Sequence, residues 1–235
     1  MTETFSRRAL VTGASSGIGL AVVRKLLAEG WKVVGVSRRP APVEHERFDW
    51  WRFDLADLDS LPTKLGALLD AHPDLDAAVL AAGAGRFGSL ETFSPRQMRE
   101  LVDLDLLSPM LVARTLLPGW KKKKRGDLVF IGSEAALAGK RQGTVYCAAK
   151  AGLRGFAQAL RDECGKSGIR VAVLQPGMVG TPFFDDLDFQ PGDAPEHAIE
   201  PETVADAVAW TLASPPETVI DEIVLSPRVK VVQKS

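Results

Sequence analysis

The segment Gly13-Ala14-Ser15-Ser16-Gly17-Ile18-Gly19 lies between a short apolar run and an amphipathic stretch. Glycines in such a turn allow a sharp change of chain direction and let a pyrophosphate approach the backbone. The N-terminus of the following helix offers N–H groups and a favourable dipole to an anion. The alternative is a plain strand-to-helix turn that needs small residues, but the strand–turn–helix context favours dinucleotide binding.

Outward from this turn, short apolar runs alternate with longer amphipathic segments, which is typical of βαβ units and a parallel sheet. The predicted strands are Ala9–Val11, Lys32–Val36, Trp51–Phe53, Ala77–Leu80, Leu128–Ile131, Arg170–Leu174 and Ile223–Leu225. The predicted helices are Leu20–Ala28, Pro62–Ala71, Pro95–Trp120, Val145–Cys164 and Pro201–Ala213. Pro109 should perturb the third helix. We expect one α/β domain over residues 1–235, with a Rossmann-type, doubly wound parallel sheet of about seven strands and helices on both faces.

Composition narrows the class of partner. The formal net charge of −1 gives no electrostatic reason to expect a nucleic acid or an anionic membrane, and the basic run Lys121–Arg125 is interpreted as a solvated loop. No stretch is long enough to span a membrane. Cys147 and Cys164 have no metal-ligand or redox spacing, and the three histidines are isolated. We therefore expect no metal site and a cytoplasmic location.

The end of the second predicted strand indicates which cofactor binds. An acidic residue there would bind the ribose hydroxyls of NAD, whereas this chain has Ser37-Arg38-Arg39. A guanidinium suits the additional 2′-phosphate of NADP. A solvated basic loop is the alternative for one of the two arginines. The sequence thus favours NADP(H) over NAD(H).

Tyr146 and Lys150 stand at i and i+4 and share a helix face. A free tyrosine has a pKa of about 10 and is a poor acid–base catalyst at neutral pH. A neighbouring cation favours the phenolate. Tyr146 is the single tyrosine of the chain, and Ser133 precedes it at a predicted strand end. A serine hydroxyl at that place can polarise a carbonyl alongside the phenol.

Taken together, Thr12 with the glycine-rich turn, Ser133, Tyr146, Lys150 and the segment Pro176–Thr181 resemble the short-chain dehydrogenase/reductase family. The resemblance runs in the correct order from Thr12 to about Thr181. It implies that NADPH gives hydride to a carbonyl carbon while Tyr146 gives a proton to the oxygen, which Ser133 holds. Lys150 would bind the nicotinamide ribose and lower the pKa of Tyr146.

The resemblance also implies a set of cofactor-binding positions, among which Asp54 would meet the adenine and the segment Pro176–Thr181 the nicotinamide carboxamide. The complete set is Gly13, Ser15, Ser16, Gly17, Ile18, Gly19, Ser37, Arg38, Arg39, Asp54, Leu55, Ala81, Ala82, Gly83, Tyr146, Lys150, Pro176, Gly177, Val179 and Thr181.

Two positions depart from the family pattern, in a chain that contains no asparagine. Ala81-Ala82-Gly83 stands where Asn-Ala-Gly is usual, and this loss should affect stability more than chemistry. The family's catalytic asparagine, which holds a proton-relay water, falls on Asp105. An aspartate close to Lys150 would pair with it, raise the lysine pKa and partly cancel its effect on Tyr146. Alternatively, Asp105 lies at a solvent-facing turn.

We therefore expect an NADP-dependent oxidoreductase acting on a carbonyl or secondary alcohol of a small molecule. The alternatives are a 3-hydroxy acid or serine-type dehydrogenase, suggested by the segment Ile220–Arg228, and a non-catalytic NADP-sensing regulator. The family implies a homodimer or homotetramer. Residues 182–200 show neither the helical nor the strand period of apolar residues and are interpreted as a mobile substrate loop. In this loop, Phe183 and Phe184 either line an apolar pocket or anchor the loop.

Overall fold

The computed structural model describes residues 7–234, and a seven-stranded sheet forms its centre. Helices separate successive strands of this sheet except between the second and the third, which a loop connects. The strands are β1 (Arg8–Thr12), β2 (Lys32–Ser37), β3 (Phe48–Arg52), β4 (Leu75–Leu80), β5 (Gly126–Ile131), β6 (Ile169–Pro176) and β8 (Glu222–Leu225). Their order is β3-β2-β1-β4-β5-β6-β8, and all neighbours pair in parallel. The predicted doubly wound parallel sheet is confirmed.

In the described part of the chain, six α-helices cover the two faces of this sheet. They are α1 (Gly17–Ala28), α2 (Leu61–Ala71), α3 (Pro95–Val102), α4 (Ser108–Lys123), α5 (Thr144–Cys164) and α6 (Pro201–Ala213). Successive side chains of a strand point to opposite faces, so each strand contributes to two cores. In β1, Leu10 packs towards α2, α4 and α5, whereas Ala9 and Val11 pack towards α1 and α6.

The long helix predicted over Pro95–Trp120 is interrupted where Pro109 was expected to perturb it. A widened π turn, Asp103–Leu107, separates α3 from α4, and the Ser108 N–H donates to the Asp103 carbonyl five residues back. Pro109 has no N–H to offer to the carbonyl of Asp105, four residues before it. This turn holds Asp105 in the interior.

The carboxyl-terminal part of the chain contains two strands that the sequence analysis missed. β7 (Phe189–Pro191) pairs antiparallel with β9 (Val232–Lys234) in a separate two-stranded sheet. Residues 182–200 are therefore not irregular throughout, and β8 is not the last strand. Three-residue strands are too short to show a two-residue period, and only their pairing across the fold makes them visible.

The strand order reverses direction between β1 and β4, which makes this the topological switch point of the sheet. In open α/β sheets, ligands bind at the carboxyl ends of the strands at such a point. The glycine-rich turn lies there, and α1 begins at Gly17, three residues earlier than predicted. Within residues 7–234, no helix is long and apolar enough to cross a membrane.

Candidate active site

Tyr146 and Lys150 lie in the first two turns of α5, whose buried face carries both side chains. Tyr146 is 7% exposed and Lys150 is 5% exposed. The Lys150 Nζ lies 5.7 Å from the centroid of the Tyr146 ring. Ser133 lies two residues after the end of β5, and its Oγ accepts a hydrogen bond from the Ala135 N–H at 3.2 Å.

Asp105 lies in the π turn, and its side chain contacts Lys150. Its Oδ1 lies 2.9 Å from the Lys150 Nζ, and its Oδ2 accepts a hydrogen bond from the Ala84 N–H at 3.3 Å. Asp105 is only 1% exposed, so the alternative of a solvent-facing turn is wrong. Lys150 also donates to the Ile131 carbonyl at 3.4 Å. Asp105 therefore forms a buried ion pair with Lys150, as expected if the two were close.

The pKa values of the three groups follow from burial and from this pair. Burial raises the pKa of Tyr146; the Lys150 charge and the Ser133 hydroxyl oppose this rise, whereas the Asp105 charge adds to it. Burial alone would lower the pKa of Lys150, but Asp105 raises it overall. Burial also raises the pKa of Asp105, against the effect of Lys150. The phenol is thus held in its protonated form.

Gly83 provides the space for the ion pair. A Cβ on this residue would lie 2.7 Å from the Asp105 Oδ1 and 3.3 Å from the Lys150 Nζ. Both distances are shorter than ordinary van der Waals contact with a carbon atom. The position therefore requires glycine as long as the pair keeps its present geometry.

A chain of hydrogen bonds, which the sequence analysis missed, fixes the backbone of Ser133. The Ser133 N–H donates to the Gln175 Oε1 at 2.7 Å, and the Gln175 Nε2 donates to the Glu222 Oε1 at 2.8 Å. Glu222 accepts two hydrogen bonds from Arg154 on α5. Gln175 is fully buried. The chain ties the ends of β5, β6 and β8 to the helix that carries Tyr146, although no local sequence signal marks it.

The predicted phosphate cradle lies between β1 and α1. Gly13 and Gly17 have positive φ angles of 73° and 53°, which favour glycine. Ser16 precedes α1 and makes no side-chain capping hydrogen bond. The first N–H groups of a helix have no intrahelical partner, so this turn fits an anionic group such as a pyrophosphate.

The predicted cofactor positions around the cradle fall into two sets. At the end of β2, Arg38 and Arg39 are exposed and form no ion pair within residues 7–234. The Ser37 hydroxyl is already engaged, because it donates to the Arg39 carbonyl at 2.6 Å and accepts from the Trp50 Nε1 at 2.9 Å. The Asp54 Oδ1 accepts from the Ala56 N–H at 3.0 Å. These contacts are all within the protein, so the binding of a cofactor by Ser37 and Asp54 stays a prediction.

The predicted cofactor-binding roles of Leu55 and of the segment after β4 likewise stay predictions, and both have other contacts in the structure. The Leu55 side chain packs in the core, and the Ala82 N–H donates to the Thr12 Oγ1 at 3.1 Å. On the opposite side of the cradle, the Thr181 side chain would lie 3.2 Å from a Cβ at Gly17. The chain after β6 therefore closes over the glycine-rich turn.

A cavity of about 670 Å³ extends from this turn to the candidate catalytic residues. Its wall includes Ile18, Gly83, Pro176, Gly177, Val179 and Thr181 on the predicted nicotinamide side, and Asp105, Ser133, Tyr146 and Lys150 at its base. Phe183 and Phe184 line it, so of the two alternatives, lining an apolar pocket or anchoring the loop, the structure supports the first. Phe87, Phe189 and the carboxyl-terminal Lys230 and Val232 also line it. These four were not predicted, because Phe87 and Lys230 lie in loops and the three-residue strands that carry Phe189 and Val232 are too short to show a period.

Comparison with known proteins agrees with this geometry. The family described as short chain dehydrogenase matches residues 7–191. The chain is 31% identical over 231 residues to a serine 3-dehydrogenase of Agrobacterium fabrum, covering 93% of this chain and 92% of the relative. An alcohol dehydrogenase from the archaeon Thermococcus sibiricus, solved with 5-hydroxy-NADP, is 25% identical with a TM-score of 0.83, covering 94% of this chain and 96% of its own. A metagenomic short-chain oxidoreductase solved with NADP is 29% identical with a TM-score of 0.78, covering 95% and 98%. Because the family match spans most of the sequence, the chain belongs to the short-chain dehydrogenase family of nucleotide-binding oxidoreductases.

Proposed function

We propose that the protein is an NADP(H)-dependent oxidoreductase that interconverts a carbonyl and a secondary alcohol of a small molecule. The observation that carries this proposal is the convergence of Ser133, Tyr146 and Lys150 at the base of a cavity that continues to the glycine-rich turn. When bound, the nicotinamide supplies hydride to the carbonyl carbon or accepts it from the alcohol. The turn and the segment Pro176–Thr181 are the elements that fit this cofactor.

The side chains perform the proton chemistry. The Ser133 hydroxyl donates a hydrogen bond to the carbonyl oxygen and fixes its position. The Tyr146 phenol then donates its proton to that oxygen, and the Lys150 ammonium stabilises the phenolate that remains. Because burial and Asp105 raise the pKa of Tyr146, the phenol is a proton donor at neutral pH.

The preference for NADP(H) is supported by Arg38 and Arg39. Both lie at the end of β2, next to the cradle, and neither is neutralised by an acidic side chain within residues 7–234. The relatives solved with 5-hydroxy-NADP and with NADP support the same choice. A guanidinium pairs with a phosphate through two parallel hydrogen bonds, which NAD cannot provide at its 2′-hydroxyl.

Tyr146→Phe tests the catalytic proposal, because it removes the proton donor and keeps the ring. We expect kcat for reduction of an accepted carbonyl to fall by about 10²- to 10⁴-fold, while NADPH binding, followed by its fluorescence, stays within about threefold of the parent. Equal turnover by this variant and the parent would refute the assignment. NADPH binding without turnover of any carbonyl by the parent would favour the NADP-sensing alternative.

A 3-hydroxy acid or serine-type dehydrogenase is the second candidate. It is supported by the 31% identity to the serine 3-dehydrogenase and by the segment Ile220–Arg228. Oxidation of serine and 3-hydroxybutyrate with NADP⁺, compared with reduction of uncharged ketones, separates the candidates. We further propose that the protein is a homodimer or homotetramer, and light scattering measures its mass. We also propose a cytoplasmic location, because Cys147 and Cys164 are both free thiols and a reducing compartment keeps thiols free.

A further inference from the structure

Four phenylalanine rings form a closed circuit with Tyr146 above the candidate catalytic residues. We call Phe87, Phe183, Phe184 and Phe189 the phenylalanine cage. The distances between successive ring centroids are 5.2 Å from Tyr146 to Phe87, 4.9 Å from Phe87 to Phe189 and 5.8 Å from Phe189 to Phe184. The circuit closes with 5.2 Å from Phe184 to Phe183 and 6.1 Å from Phe183 to Tyr146. Tyr146, the proposed proton donor, is therefore one of the five aromatic side chains in this circuit.

Three separate segments build the cage. Phe87 lies in the loop after β4, Phe183 and Phe184 lie in the turn after Thr181, and Phe189 belongs to β7. The pairing of β7 with β9 holds Phe189 opposite Lys234, so the carboxyl-terminal strand fixes one side of the cage. All four rings are partly exposed and line the cavity. They present apolar surface to whatever occupies it.

The charged side chains on the cavity wall, within residues 7–234, offer no comparable site for a carboxylate near Tyr146. Lys150 is paired with Asp105. Lys140 and Lys230 are both paired with Glu134. The remaining charged residues of the wall, Arg141, Asp188 and Lys234, are exposed to solvent. A small substrate carboxylate beside the reacting carbon would face the phenylalanine rings, and burying an unpaired charge is costly. Arg141 and Lys234, which have no acidic partner within residues 7–234, lie in the exposed part of the wall, where water and salt screen their charge.

We propose that the substrate is a ketone or aldehyde whose carbonyl is attached directly to an aromatic ring, and that the phenylalanine cage holds this ring. The proposal rests on the proposed function for its reaction. Aromatic pairs gain about 0.5–1.5 kcal/mol beyond the burial of their area, so several edge and tilted contacts select a ring over an alkyl group. With the ring in the cage, the attached carbonyl carbon lies next to Tyr146, which belongs to the same circuit.

Three probe carbonyls test this specificity: methyl phenyl ketone, acetone, which lacks the ring, and 3-oxobutyrate, which has a carboxylate in its place. We expect kcat/KM to be at least about tenfold higher for methyl phenyl ketone than for either of the others, because two or more ring contacts of about 0.5–1.5 kcal/mol each together amount to about this factor. A kcat/KM for acetone or 3-oxobutyrate equal to or above that of methyl phenyl ketone would overturn the proposal.

Phe183→Leu and Phe189→Leu test the cage itself. Each should lower the ratio of kcat/KM for methyl phenyl ketone to that for acetone by about tenfold, mainly through KM. Phe156→Leu is the matched control, because Phe156 packs on Phe130 in the core and does not line the cavity. It should leave the ratio unchanged. An unchanged ratio in both cage variants would refute the role of the cage.

Calorimetric binding of methyl phenyl ketone, with and without NADP⁺, separates the two proposals. Turnover of ketones without preference for the ring contradicts the cage but leaves the proposed function intact. Absence of turnover contradicts the proposed function. In that case, the calorimetric binding of methyl phenyl ketone alone tests whether the phenylalanine cage holds an aromatic ring. Measurable binding that Phe183→Leu weakens by about tenfold would support it, and no binding, or equal binding by the variant, would refute it.

Discussion

The Lys150 Nζ lies 2.9 Å from the Asp105 Oδ1, and both side chains are removed from solvent. The two residues come from different helical segments, since Asp105 belongs to the π turn and Lys150 to α5. Removing one partner of a buried ion pair costs about 3–5 kcal/mol, because the other charge remains buried without compensation. Removing either partner alone is therefore destabilising, and the Asp105 charge also raises the pKa of Tyr146.

Asp105→Asn should shift the pH dependence of reduction towards lower pH. Asp105 raises the pKa of Tyr146, so its neutralisation lowers that pKa. Reduction needs the phenol, which is present below its pKa and lost as pH rises through it. The alkaline limit of kcat/KM should thus move to lower pH, and oxidation at a fixed pH above neutrality should become faster.

Asp103→Asn is the control for this change, because Asp103 lies in the same π turn and does not line the cavity. Its pH–rate profile should coincide with that of the parent. An alkaline limit that stays in place, or moves upward, in Asp105→Asn would show that Asp105 does not act on Tyr146.

Gly83→Ala should displace the ion pair. The added methyl group would meet the Asp105 Oδ1 and the Lys150 Nζ, so one of them must move. A misplacement of about 1 Å in a catalytic group can lower the rate by about a hundredfold. We expect a loss of that order in kcat. Gly66→Ala in α2, where a Cβ meets nothing within 4 Å, should retain full activity and raise the free energy of unfolding by about 0.4–1 kcal/mol. Equal kcat in both variants would contradict the steric argument.

Gln175→Leu should affect kcat more than KM. The change leaves the part-buried Ser133 N–H without its acceptor, which costs up to about 1–3 kcal/mol in the free energy of unfolding, measured by urea titration. It also releases the Ser133 hydroxyl from its position, which lowers kcat if Ser133 orients the carbonyl. Gln158→Leu on the exposed face of α5 is the control. Lower stability with unchanged kcat would limit Gln175 to a structural role.

Arg38→Ala should weaken NADPH binding selectively. Hydrogen bonds to charged groups contribute about 1.5–3 kcal/mol, so the Kd for NADPH should rise by about 10- to 100-fold while the Kd for NADH changes little. Arg24→Ala removes the same charge from an exposed position on α1 and should change neither value. Titrations of nucleotide fluorescence measure both constants. An equal loss for the two cofactors in Arg38→Ala would remove the argument from the 2′-phosphate.

The sequence by itself determined the alternation of strands and helices, the glycine-rich turn and the spacing of Tyr146 and Lys150. These features are local, because apolar periodicity, positive φ angles and an i, i+4 pair depend only on residues close together in the chain. Pro109 even indicated where the long helix would be disturbed, since a missing N–H is also a local property.

Only the tertiary structure decided what surrounds these residues. The burial of Asp105 against Lys150 depends on how the π turn packs on α5, and the support of Ser133 by Gln175 depends on two neighbouring strand ends. The phenylalanine cage joins segments distant in the chain through the pairing of β7 with β9. Such contacts arise from packing between elements, which no local pattern encodes.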